Sequence, residues 1–369
     1  MIVELPRARL APRYTVSCLL KGGWQLAGGH GPVEAAAALA DMDRFVDAGI
    51  TTFDCADIYT GVEALIGEWL KQRGARGAAV PVQVHTKYVP DLDRLATHSR
   101  ADVVRGVDRS LARLGVDRLD VVQLHWWDYD VPGYVDAAAW LDELRRAGKI
   151  RYLGLTNFDQ PRLEEIVAAG ITVVSHQVQY SVLDRRPANG MAAHCAREGI
   201  GLLCYGALAG GFLSGRYRGR TDPAPPLENR SLEKYRLIID EFGGWDRFQN
   251  MLVALGEVAA RHGVGIGAVA LRWVLDQPGV SGVIVGARHA RHLDQAIQAC
   301  ALVLDDDDRA AVARVQSASS GPNGDIYDLE RVKGGPHASI MRYTLARGPG
   351  RGATSRARRK SRGYSPQDQ

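Results

Sequence analysis

"IRYLGLTNFDQPRLEEIVAAGITVVSHQ", residues 150–177, holds one complete structural period. An apolar run, Ile150–Leu155, reads as a strand and passes through a short polar turn. "PRLEEIVAAG" then reads as a helix ended by Gly170, a residue suited to the position just past a helix C-terminus. A second apolar run, Val173–Gln177, follows at once. Strand, helix, strand within 28 residues is the unit from which parallel sheets are built.

The same period repeats on both sides. Further strands are expected at Val16–Leu20, Thr51–Asp54, Val82–Thr86, Leu119–Leu124, Gly201–Tyr205 and Gly282–Val285. Most of these runs lack polar alternation, as strands covered on both faces do. Amphipathic stretches lie between them; in "RADVVRGVDRSLARLG", Val103, Val107, Leu111 and Leu114 form one apolar face. Eight strands, each followed by a helix, predict an α/β fold of the (β/α)8 barrel type with its core at about residues 14–300. An open doubly wound sheet would place a Gly-rich phosphate turn after its first strand. Here that strand runs into "KGGWQLAGG", which lacks the pattern. An N-terminal extension precedes the barrel, and a long connection, about 206–281, separates the last two strands. Within it, "LENRSLEKYRLIIDEFGGW" (227–245) suits part of a lid or a packed helix.

The hydrophobic fraction of 46% and charged fraction of 24% are those of a globular protein. No apolar run reaches the roughly 18 residues that span a bilayer, and "MIVELPRARLAPRY" has no apolar signal core. Five cysteines (Cys18, Cys55, Cys195, Cys204, Cys300) are scattered without a CxxC pair, the pattern of reduced thiols in the cytoplasm. The net charge of +4 is misleading, because residues 346–369 hold seven basic side chains against one acid, Asp368. That Gly/Arg/Ser-rich tail reads as a disordered, solvated extension of a single domain, 1–345. The core is slightly acidic and is expected to bind neither nucleic acid nor membrane.

In such a barrel the C-terminal strand ends converge on one cleft. They carry Asp54, Lys87 and His125, with Tyr59 in the loop after Asp54. Each alone has a bland explanation: a turn former, a strand-end charge, a structural histidine, a rim aromatic. Together they form a chemical unit. A nearby ammonium lowers the pKa of a phenol and moves it toward general acid chemistry. Asp54 would hold Lys87 in place, and His125 would donate a second hydrogen bond where negative charge develops. Such a site polarises a carbonyl and protonates the resulting alkoxide, but needs a hydride from a cofactor. A metal-dependent barrel would want more converging carboxylates or histidines, so no metal is expected.

"FDCADIY", "HTK" and "LHWW" resemble, in order and spacing, the Asp, Tyr, Lys and His tetrad of the aldo-keto reductase superfamily. The resemblance implies Tyr59 as proton donor, Lys87 as its pKa tuner, Asp54 as partner of Lys87 and His125 as substrate orienter. It also implies NADP(H), with NAD(H) as the alternative. Thr156, Asn157 and Gln177 would form the nicotinamide amide pocket, and Tyr205 would stack under the ring. "GALAGGFLSG", with Gly206, Leu208, Gly210 and Leu213, would lie along the pyrophosphate, and Gly286 and Arg288 would meet the adenosine 2′-phosphate.

Two departures stand out. Residues 292–296 (His292, Leu293, Asp294, Gln295, Ala296) replace the Gln-Leu-x-Glu-Asn of many members, and Gly23 stands where many have threonine. Trp24, Trp126 and Trp127, with Tyr129 nearby, would wall a pocket for a small carbonyl or sugar-like substrate. Asp128 and Asp130 read as substrate ligands or as solvated loop acids. The resemblance implies an oxidoreductase moving hydride between nicotinamide and an aldehyde or ketone or its alcohol. The same residues would serve a sugar dehydrogenase or a cofactor-binding regulatory subunit.

Overall fold

The computed structural model describes residues 5–28, 30–286 and 288–341. The tail expected at 346–369 lies outside them. Ten strands follow in order: β1 Arg7–Ala11, β2 Tyr14–Ser17, β3 Leu19–Gly22, β4 Thr52–Asp54, β5 Gln83–Tyr88, β6 Leu119–Leu124, β7 Ile150–Thr156, β8 Val173–Gln179, β9 Gly201–Tyr205 and β10 Val280–Gly286. The last eight close into a barrel in sequence order, with β10 pairing β3 in parallel. The expected (β/α)8 architecture is therefore the observed one.

The first strand departs from expectation. Val16–Leu20 is divided at Ser17 and Cys18: Ser17 Oγ donates to Leu19 O (2.6 Å) and Cys18 N donates to Pro6 O (2.9 Å). Residues before the break form a hairpin with β1, and those after it enter the barrel. The hairpin is the N-terminal extension. It packs Leu10, Tyr14 and Val16 against the inward-facing Leu20, Val121, Val174, Leu203 and Ile284, closing one mouth of the barrel. The Tyr14 hydroxyl meets His85 Nε2 at 2.9 Å. On the other side of the break, Cys18 Sγ lies 3.3 Å from Cys300 Sγ, so the first barrel strand touches a late helix.

Helices α1 Ala35–Asp47, α2 Val62–Ala75, α3 Arg100–Leu114, α4 Tyr134–Arg146, α5 Gln160–Ala168 and α6 Met191–Glu198 cover the outer wall. On α3, Val103, Val107 and Leu114 are buried and Leu111 is half-buried, the face that the spacing predicts. The β9–β10 connection contains α7 Arg230–Phe242, α8 Gly244–His262 and α9 Ile266–Leu275. Of the two readings of 227–245, the packed helix holds: α7 buries Leu232, Tyr235, Ile238, Ile239 and Phe242 along one stripe. After β10 come α10 Leu293–Ala301 and α11 Asp306–Ser317. The chain then returns over the C-terminal mouth through two short turns, α12 Asp328–Arg331 and α13 Pro336–Ser339.

Helices α2 and α3 touch through their backbones. A Cβ on Gly67 would lie 2.3 Å from Arg113 O, and one on Gly74 would meet nothing within 4 Å. Gly67→Ala should therefore destabilise the fold by about 1–3 kcal/mol through overpacking. Gly74→Ala should be neutral or stabilise by up to about 1 kcal/mol. Urea midpoints at constant slope measure both; equal midpoints for the two variants would refute the backbone contact.

Candidate active site

The barrel interior narrows at its C-terminal end to a polar layer. Asp54, Gln123 and Gln177 come from β4, β6 and β8, and side chains from alternate strands share a layer in such barrels. Gln177 Nε2 donates to Asp54 Oδ1 (2.7 Å) and to Gln123 Oε1 (3.1 Å), and Gln123 Nε2 donates to Asp54 Oδ1 (3.2 Å). Lys87, on the neighbouring β5, donates to both Asp54 oxygens (2.9 and 2.7 Å) and to Cys55 O (2.9 Å). Both partners are almost wholly buried, at 6% and 5% side-chain exposure. A buried ion pair survives only when its remaining donors and acceptors are also satisfied, and the glutamines supply that. Burial alone would lower the Lys87 pKa, but Asp54 and Tyr59 reverse this and raise it.

Tyr59 stands above this pair, with Lys87 Nζ 5.2 Å from its ring centroid. Its loop is tight: Tyr59 N donates to Ala56 O, and Val62 N to Tyr59 O, each at 3.0 Å. Arg113 clamps the loop from outside by donating to Asp57 O (3.0 Å) and to Glu63 (3.2 Å). The phenol departs from the expected lowering. Burial raises its pKa above the ordinary 10.0 and outweighs the ammonium, so Tyr59 is held as a protonated acid.

His125 follows β6 directly. Its Nδ1 lies 3.2 Å from Thr156 O. A carbonyl only accepts, so the bond puts the proton on Nδ1 and leaves Nε2 with a lone pair. Burial first, and the charge of Arg331 next, hold the imidazole neutral down to about 3. Nε2 is buried and has no hydrogen-bond partner among the described residues. The expectation of a donating His125 is corrected here: the neutral ring in this tautomer offers an acceptor.

The residues expected at the nicotinamide end converge. Thr156 Oγ1 donates to Gln177 O (3.2 Å), and the Tyr205 hydroxyl donates to Asn157 Oδ1 (2.8 Å). The amide nitrogen of Gln177, however, is already engaged by Asp54 and Gln123. Beyond β9, Gly206, Ala209, Gly210 and Gly211 all have positive φ, so the main chain winds tightly from Gly206 to Leu213; Leu213 N donates to Leu208 O at 3.2 Å. Gly286 ends β10, and Arg288 donates through both Nη atoms to the carbonyls of His30 and Pro32. Those contacts tie the guanidinium to the loop after β3, and Nε is buried without a hydrogen-bond partner among the described residues. Gly23 also has a reason: a Cβ there would lie 2.9 Å from both Asp54 O and Val62 Cγ1, so a threonine does not fit.

The tryptophans divide. Trp24 packs 5.2 Å from Tyr59, and Trp127 meets His125 edge-on at 4.3 Å. Trp126 turns the other way, fully buried against His98 and Tyr134, with its indole N–H donating to Asp128 O and Val131 O. It is part of the outer packing and does not line the site. Asp128 and Asp130 both receive Lys333, at 3.0 and 2.9 Å. Sequence reasoning missed Gln123, whose signal was a polar interruption in "VVQLH". It also missed Tyr327 and Arg331, brought to His125 by the returning chain.

A model of the Aldo/keto reductase family matches residues 19–317. Aldo-keto reductase str7 of Strobilurus tenacellus is 29% identical over 285 residues, 76% of this chain and 81% of its own. Aldo-keto reductase yakc of Schizosaccharomyces pombe, whose name carries NADP(+), is 27% identical over 314 residues, 82% of this chain and 88% of its own. Among solved structures, the glycerol dehydrogenase AKR11B4 from Gluconobacter oxydans superposes with a TM-score of 0.72 at 23% identity, over 86% of this chain and 97% of its own. That likeness concerns the fold. The family match spans most of the chain, barrel included, and the chain belongs to the aldo/keto reductase family of oxidoreductases.

Proposed function

We propose that this chain is an NADP(H)-dependent carbonyl reductase in which Tyr59 is the proton donor. The observation that carries the reading is the buried Lys87–Asp54 pair set beneath a protonated Tyr59. A phenol held in its acid form beside a fixed ammonium can hydrogen-bond a carbonyl oxygen and give it a proton as negative charge develops. Lys87 then stabilises the phenolate left behind, and Asp54 keeps the ammonium in position.

Thr156, Asn157 and Tyr205 suit the nicotinamide end, where the Tyr205 ring is half-buried and its hydroxyl is fixed by Asn157. The main chain from Gly206 to Leu213 suits the pyrophosphate, since successive N–H groups in such turns make a concave anion site. Arg288 keeps Nε–H and the second N–H of each Nη as donors for a 2′-phosphate, since His30 O and Pro32 O take one from each Nη. Bound NADP(H) would supply the hydride for reduction or accept it in the reverse direction. The scattered thiols suit a reducing cytoplasm.

One observation favours a second direction. His125 Nε2 can accept a hydrogen bond from an alcohol O–H but cannot donate one to a carbonyl. Oxidation of an alcohol, including a sugar hydroxyl, therefore uses the same site with His125 as acceptor.

Tyr59→Phe should lower kcat for NADPH-linked carbonyl reduction by about 100-fold or more, with NADPH affinity by fluorescence titration nearly unchanged. Retained turnover would refute the proton-donor role. The pH profile is a separate check. Tyr59 gives a proton only below its pKa, which stands above 10.0, and His125 gains charge only below about 3. The kcat/KM for reduction should thus be flat from about pH 6 to 9 and fall only on the alkaline side. A limb near 6.5, the ordinary histidine value, would mean that His125 titrates in the working range.

A further inference from the structure

All five cysteines are thiols, and two of them meet. Cys18 stands at the break before β3, and Cys300 stands near the end of α10, 282 positions further along the chain. Their sulfurs lie 3.3 Å apart. A disulfide holds its sulfurs at about 2.05 Å, so roughly 1.3 Å of movement separates the contact from a bond. The main chain of Cys18 is also fixed to the neighbouring strand, since Val283 N on β10 donates to Cys18 O (2.8 Å).

The pair is chemically distinct from the other three. Thiolates attack oxidants, and a thiol becomes reactive where its pKa falls and solvent reaches it. The hydrogen bond from Cys300 lowers the Cys18 pKa, and the Leu19 main chain and the Arg272 charge lower it further against the effect of burial. Cys300 is partly exposed, and Cys18 keeps 8% of its surface, which gives a small oxidant access. Cys55, Cys195 and Cys204 are fully buried, and burial raises the pKa of each. Cys195 Sγ meets a methionine sulfur, Met191 Sδ, at 3.6 Å.

We propose that Cys18 and Cys300 are a modification site: a hydroperoxide joins them in a reversible disulfide that locks the β3–β10 seam of the folded chain. With hydrogen peroxide, the Cys18 sulfur attacks one oxygen, the O–O bond breaks and a sulfenic acid forms. The departing hydroxide takes up the proton that Cys18 lost, giving water. The Cys300 sulfur then attacks the Cys18 sulfur, and the expelled hydroxide leaves as water with the Cys300 proton. The two thiols lose two electrons, and the peroxide gains them. The bond closes a loop that contains nearly the whole barrel, and long loops lose the most conformational freedom in the unfolded state.

The test treats the full chain with hydrogen peroxide and then counts thiols under denaturing conditions. Five should fall to three, and mass spectrometry of a digest should find one peptide pair joined through Cys18 and Cys300. The Tm should rise by about 5 °C or more and return to its starting value with dithiothreitol. Cys300→Ser and Cys18→Ala should each lose both the crosslink and the rise. Each variant is compared with itself before and after peroxide, which cancels any cost of the substitution. Five thiols remaining, a bond to another cysteine or between two copies of the chain, or oxidation beyond the sulfenic acid in place of the bond overturns the site. A Cys18–Cys300 bond that leaves the Tm unchanged or lower overturns the lock, as does a rise that persists in Cys300→Ser.

Discussion

The ion pair between Lys87 and Asp54 is the constraint on which the site depends. Its strength comes from register. Asp54 pairs with His85 across β4 and β5, and Lys87 lies two residues further along β5. Residues two apart on a strand face the same side, so His85 and Lys87 both point into the barrel. His85 faces the plugged mouth, where it meets Tyr14, and Lys87 faces the open one, where it meets Asp54. A slip of one residue would turn both outward. Removing one partner from such a buried pair typically costs about 3–5 kcal/mol. The polar layer is therefore as much a product of correct strand pairing as of the residues themselves.

Above that pair two forces oppose each other. Burial pushes Tyr59 toward its neutral form, and the ammonium pulls the other way; burial prevails. At His125 burial and nearby positive charge act in the same sense, and the ring is neutral. Both groups thus stand in uncharged forms next to a fixed charge pair. The site is consequently rich in field and poor in mobile protons.

The architecture was legible because its signal is local and repeated: apolar runs of strand length alternate with amphipathic stretches, and the periods need no long-range information. The tetrad was legible for a related reason, since strand ends in this architecture face one place. What stayed hidden depended on contacts the sequence does not write. The apolar character of Val16–Leu20 runs on through the break at Ser17 and Cys18, because the hairpin and the barrel both bury their residues. Trp126 and Trp127 are adjacent and identical in type, and only packing decides that one turns to the outer wall and the other to His125. Arg331 carries no local signature, since its surroundings are assembled by a chain segment that returns from beyond α11. The tautomer of His125 likewise follows from one main-chain carbonyl on the next strand.

The seam of the ring, where β10 lies beside β3, joins strands from opposite ends of the described chain. During synthesis β3 emerges early with one edge unpaired, and it stays so until nearly the whole barrel has followed. Non-local pairings of this kind are slow to form and leave strand edges exposed to association in the interval. Cys18, just before β3, and Cys300, on α10, meet across that seam at 3.3 Å. An unclosed chain has no reason to bring them together, so the two thiols are a built-in reporter of the moment at which the ring shuts.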